Sequence, residues 1–146
     1  MLGRILLLLV CLLAAGCRSA GPSSLPTQTA PVILAPLIGQ PFQLRAGDSA
    51  FLQNSDLMLV FERVVQDSRC PADVTCVWSG EAAVALLAIQ TGRDPQPLEL
   101  STLPEKSKAT VFDYIIELRQ VAPFPQKAGA VLTASDYVIT LVVFSR

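Results

Sequence analysis

The chain has 146 residues, 51% of them hydrophobic, with 11 basic and 12 acidic side chains and no histidine. A net charge of −1 leaves no electrostatic case for nucleic acid, whose phosphates are gripped by clustered Lys and Arg. Without histidine the usual Ser-His and Cys-His nucleophile pairs, most zinc hydrolase sites and the commonest general base near neutral pH are missing, so the sequence predicts a non-catalytic protein with no metal and no cofactor.

In chain order, Arg4 precedes an apolar run from Ile5 to Ala15. That length fits the ~7–15 residues of a signal peptide's apolar region and falls short of the ~18 needed to span a bilayer. The run closes on Leu13-Ala14-Ala15-Gly16-Cys17, small residues immediately before a cysteine, which resembles the lipobox of bacterial lipoproteins. The resemblance implies that residues 1–16 are removed as a signal peptide. It also implies that Cys17 carries a thioether-linked diacylglycerol and becomes the first residue of the mature chain. The location it implies is the outer membrane or the outer face of the plasma membrane, with the membrane itself as a partner through the N-terminal lipid. Arg4 is the only charged residue lost with the leader.

Residues 17–40 read as a lipidated tether. Pro22, Pro26, Pro31 and Pro36 are spaced too closely for a helix or a central strand, and polyproline II at ~3.1 Å per residue would hold a domain away from the membrane. The apolar residues Ile33, Leu34, Leu37 and Ile38 leave open whether the end of this stretch packs on the domain instead. Residues 41–146 read as one domain, long enough to bury its own core.

Within that domain, strand-like segments alternate with turn signals at short intervals, the pattern of an all-β antiparallel sandwich or small barrel of about seven strands. Strands are predicted near residues 42–44, 49–52, 57–66, 81–90, 98–100, 111–121 and 137–144. Leu59-x-Phe61-x-x-Val64 is echoed by Ile116-x-Leu118-x-x-Val121; an alternation of period two with one extra residue predicts a bulge in each. Residues 81–89 are largely good helix formers. They sit between Gly80 and Gly92 and lack the polar face of a surface helix, so they are read as a buried strand against their propensity.

Of the four cysteines, Cys11 leaves with the leader and Cys17 takes the lipid, so Cys70 and Cys76 remain to pair in an exported protein. They lie within Asp67-Ser68-Arg69-Cys70-Pro71-Ala72-Asp73-Val74-Thr75-Cys76-Val77-Trp78-Ser79-Gly80-Glu81. The Arg-Cys-Pro and Cys-x-Trp-x-Gly-Glu pattern of this segment resembles a group of exported and lipid-anchored bacterial proteins of uncharacterised activity. That resemblance implies architecture and localisation and transfers no catalytic residue. Read structurally, the disulfide closes a connection between two strands, Trp78 packs over it, Gly80 takes an unusual backbone angle, and Arg69 pairs with Asp67 or Glu81. Read functionally, the same loop is a pre-ordered binding surface with Arg69, Asp73, Trp78 and Glu81 as candidate contacts and an envelope protein as a candidate partner. The expected role is a lipid-anchored binding or structural module. The alternative is an inhibitor of an envelope or extracellular protease that offers Arg69 from the Cys70–Cys76 loop.

Overall fold

A computed structural model describes residues 33–130 and 132–146; the expected leader, Cys17 and the expected tether up to residue 32 lie outside the described residues. Nine strands follow one another: β1 (Ile33–Leu34), β2 (Phe42–Arg45), β3 (Ser49–Phe51), β4 (Leu57–Asp67), β5 (Ala82–Gln90), β6 (Gln96–Ser101), β7 (Lys108–Val111), β8 (Tyr114–Ala122) and β9 (Val138–Ser145). Two 3-10 turns, Pro104–Lys106 and Ala134–Asp136, are the only helical pieces among the described residues.

The strands form two sheets, β1-β3-β4-β5-β6 and β2-β9-β8-β7. Every pairing is antiparallel except that of β1 with β3. The fold is a β-sandwich, one of the two all-β architectures expected. Its core comes from alternate residues on the facing sides: Leu57, Leu59 and Phe61 of β4, Val84 and Leu86 of β5, Ile116 and Leu118 of β8, and Ile139, Leu141 and Val143 of β9. Burying each such side chain contributes ~1.5–3 kcal/mol, and the period-two spacing that delivers them is visible in the sequence.

Both bulges lie where the pattern put them. The register of β4 against β5 shifts between Phe61 and Arg63 and again between Val64 and Gln66, and that of β8 against β9 shifts between Leu118 and Gln120. Residues 82–90 form the strand β5, paired on both sides by β4 and β6. A position between two neighbours completes the backbone hydrogen bonding of the segment and buries Ala82, Ala83, Val84, Leu86 and Ala88, which outweighs helix propensity.

One expectation needs correction and one open question is closed. The single strand read over residues 111–121 is the hairpin β7–β8, with Val111 opposite Tyr114. The two-residue turn is Phe112-Asp113, with Phe112 at φ +54°, a left-handed conformation that bulky residues seldom adopt. A stacked guanidinium supports it: Arg93 lies 5.4 Å from the centre of the Phe112 ring and 3.3 Å from the Asp113 carboxylate. Further upstream, the end of the stretch read as tether contributes β1, with Ile33 opposite Ser49, and Leu34 and Ile38 pack against the core.

The sandwich has two distinct ends. Residues 52–56, 91–95 and 112–113 turn at one of them, which holds the Arg93–Asp113 pair. At the other, β4 leaves Asp67 for the disulfide loop, β8 runs into residues 123–137, and β9 begins next to Tyr137.

Candidate functional site

The loop between β4 and β5 begins as a continuation of the hairpin. The Ser68 N–H donates to the Glu81 carbonyl at 2.8 Å and the Cys70 N–H donates to the Ser79 carbonyl at 2.9 Å, while the Ser68 hydroxyl both donates to the Glu81 carbonyl and accepts from its N–H. Gly80 allows this close pairing. Its φ is +68°, and a Cβ there would run into the Ser68 carbonyl. The Cys70–Cys76 disulfide closes the next stretch, with Cα atoms 5.9 Å apart, inside the range of about 4.4–6.8 Å that such bonds require.

Beneath the loop sits a buried polar knot. Asp67 and Arg69 are two residues apart on extended backbone, so their side chains leave the same face and meet. Arg69 donates through Nε to Asp67 Oδ1 at 2.8 Å and through Nη2 to Asp67 Oδ2 at 2.6 Å, a bidentate pair of the strong, charge-assisted kind. The same guanidinium donates through Nη1 to the Val121 carbonyl at 2.6 Å and through Nη2 to the Pro123 carbonyl at 2.8 Å. Phe124 covers it, its ring centre 5.2 Å away. The Tyr137 hydroxyl donates to Asp67 Oδ2 at 3.2 Å. Arg69 thus ties the end of β4 to the end of β8 and, through Asp67, to the start of β9, joining the two sheets. Burial pushes the Asp67 carboxyl up, but the side-chain and backbone hydrogen bonds of Arg69 and its charge together hold it below the usual carboxylate range. Burial first, and then the neighbouring carboxylate, raise the Tyr137 phenol.

The knot's outer wall is a cleft of about 270 Å³ lined by Asp67, Arg69, Phe124, Lys127, Leu132 and Tyr137 among others. The disulfide loop leans on the same segment: the Ala72 N–H donates to the Pro125 carbonyl at 3.0 Å, and the Ala128 N–H donates to Asp73 Oδ1 at 2.9 Å.

The four residues read as candidate contacts therefore part company. Arg69, only 8% exposed, has Nε, Nη1 and Nη2 all engaged inside the molecule and is not offered to solvent. Of its two expected partners Asp67 is the one chosen. Glu81 lies at the loop's base, where Oε1 accepts from Gln66 Nε2 at 3.3 Å and lies 3.7 Å from Lys106 Nζ. Asp73 holds the loop to residue 128. Trp78, expected to pack over the disulfide, is 70% exposed, and its neighbour Val77 is fully exposed. Val74 and Phe124 are also exposed apolar side chains at this end.

Val77 is an exposed apolar residue of this loop that residue-by-residue reading missed. The one signal for it in the sequence was an aliphatic residue beside a tryptophan in a short loop. Among the described residues, no three metal-ligating side chains come together. Comparison with protein-family models, curated proteins and solved structures finds no match for this chain, so the site is read from its geometry.

Proposed function

We propose that the protein is a lipid-anchored, non-catalytic binding module of the cell envelope whose contact surface is the tip of the Cys70–Cys76 loop. The observation that carries this reading is the exposure of Val77 and Trp78 on a loop with a fixed base. Leaving a valine and a tryptophan in water forgoes ~1.5–3 kcal/mol of burial for each large apolar side chain. A disulfide, a backbone ladder and the Arg69 knot pre-order their support, so a partner meets them at little entropic cost. The membrane anchor follows from the lipobox resemblance at Cys17. Protease inhibition through this loop would have to use a residue other than Arg69, because a protease pocket takes an extended, accessible side chain.

Two measurements test the reading. Intact mass of the protein from native membranes should show an acylated Cys17, with Cys70 and Cys76 alkylated only after reduction. A photo-crosslinking residue at position 77 in living cells should give adducts, to envelope protein or to lipid, that the same residue at position 93, on the opposite end, does not. Equal labelling from both positions would remove the loop tip as the contact surface.

A further inference from the structure

The direction in which the chain enters the fold bears on what the loop tip meets. Strand β1 runs parallel to β3, with Ile33 opposite Ser49 and Leu34 opposite Ala50, and β3 runs antiparallel to β4, with Ser49 opposite Val60. Moving upstream from Ile33 is therefore moving along β4 from Val60 toward Asp67, the end that carries the disulfide loop. The downstream chain confirms the polarity: residues 35 and 36 bond to Gln53, in the turn at the opposite end. The N-terminal segment thus leaves the domain on the side where Val77 and Trp78 project.

The lengths are compatible. From Val60 to Asp67 the strand advances about 23 Å. The sixteen residues 17–32 span ~20–24 Å as a relaxed coil and up to ~50 Å extended. An anchor at Cys17 therefore lets the loop end reach the bilayer and raises its effective concentration there. The side chains at the tip suit that layer. Tryptophan is enriched at membrane–water interfaces, where an apolar ring with one N–H donor sits at headgroup depth, and Val77 adds an aliphatic side chain with no protein neighbour to cover it. Cys76 and Ser79 flank the pair, so no charged side chain from the immediate chain enters with it.

From these observations we infer that the partner of the loop tip is the lipid surface itself: Val77 and Trp78 insert into the interface of the anchoring membrane and fix the domain's orientation on it. The inference rests on the lipid-anchor reading above. Two acyl chains already make attachment stable, so the loop's contribution is to orientation. It converts a domain swinging on a tether into one standing on its disulfide loop, with the 52–56, 91–95 and 112–113 turns facing away from the bilayer.

Trp78 is the only tryptophan, so its fluorescence reports this position alone. The experiment uses the full mature chain with its native lipid, reconstituted into phosphatidylcholine vesicles whose acyl chains carry bromine, alongside the Cys17→Ser chain in buffer. The expected result is a blue-shifted emission, quenched by bromine and protected from aqueous iodide. Val77→Glu should restore the emission of the free chain while the protein still floats with the vesicles. If the lipidated protein floats but Trp78 remains open to iodide and indifferent to bromine, or if Val77→Glu changes nothing, the inference is overturned and the anchor reading stands. A blue shift in native envelopes with none in protein-free vesicles would assign the tip to an envelope protein and overturn the inference equally. A mature chain whose mass shows Cys17 unmodified would remove the anchor reading, and the inference with it.

Discussion

Arg69 and Trp78 belong to one loop, on either side of its disulfide. Arg69 is 8% exposed and is held by a carboxylate, two carbonyls and an aromatic ring; Trp78 is 70% exposed. The residue whose charge suggests a surface role is structural, and the residue whose hydrophobicity suggests a core role is at the surface. Charge and hydropathy give the preference of a side chain in isolation. A buried ion is tolerated when every lone pair and proton is matched, and an apolar side chain remains in water when the loop that carries it has no core within reach.

The comparison can be broken most severely at the base. Arg69→Met should leave the Asp67 charge buried and the Val121 and Pro123 carbonyls without their donor. Removing one partner of such a pair costs ~3–5 kcal/mol, to be read as a lower urea midpoint with unchanged slope. Far-UV circular dichroism is the right probe, because Trp78 is already exposed in the folded state and its emission will change little on unfolding.

A smaller loss, still at the base, is expected for Gly80→Ala. A left-handed conformation at a residue with a Cβ costs ~1–3 kcal/mol, and the Ser68 carbonyl stands in the way of that Cβ, so the ladder between Ser68 and Glu81 must open. Amide exchange at Ser68 and Cys70 should accelerate in this variant well beyond exchange at Leu59.

Replacing Cys70 and Cys76 together by serine removes a short closed loop, worth about 2 kcal/mol on the chain-entropy account. The knot should survive it. Nuclear magnetic resonance of the Arg69 side chain should then show its guanidinium protons still slow, with new disorder confined to residues 71–79. Loss of the Arg69 signals would mean that base and tip are one cooperative unit.

Acid should act on the base alone. Because the Asp67 carboxyl is held below its ordinary value, the stability it contributes is fully present above the unfolded pKa of about 4. That stability is lost as pH falls through the lower folded value. The urea midpoint should therefore drop as the pH is taken below about 4, and Asp67→Asn should be less stable at pH 7 with a flatter acid dependence. Asp136, also held low by Thr133, leaves a residual slope. The smallest stability effect belongs to the tip: Val77→Glu should change stability by no more than ~0.5 kcal/mol, as surface substitutions do, while abolishing the proposed membrane contact of Trp78.

The sequence by itself determined the all-β class, and the structure chose the sandwich over the small barrel. Alternation of period two placed core residues of β4 and β8, the extra residue in two repeats marked the bulges, and subtraction of two cysteines left one pair to bond. These are properties of short stretches, and short stretches carry them whatever surrounds them. The hairpin at Phe112-Asp113 was hidden because no glycine or asparagine marked it, its support coming from Arg93 across the molecule. β1 was hidden in proline-rich sequence for a related reason, since its pairing depends on an edge that only the folded β3 provides. Tertiary structure also decided the fates of Arg69 and Trp78. The first is fixed by carbonyls at Val121 and Pro123, more than fifty residues away, and the second by the distance between a loop tip and the core. Partners so far apart in the chain leave no mark on local spacing, which is why the candidate residues were found in the sequence and their roles only in the fold.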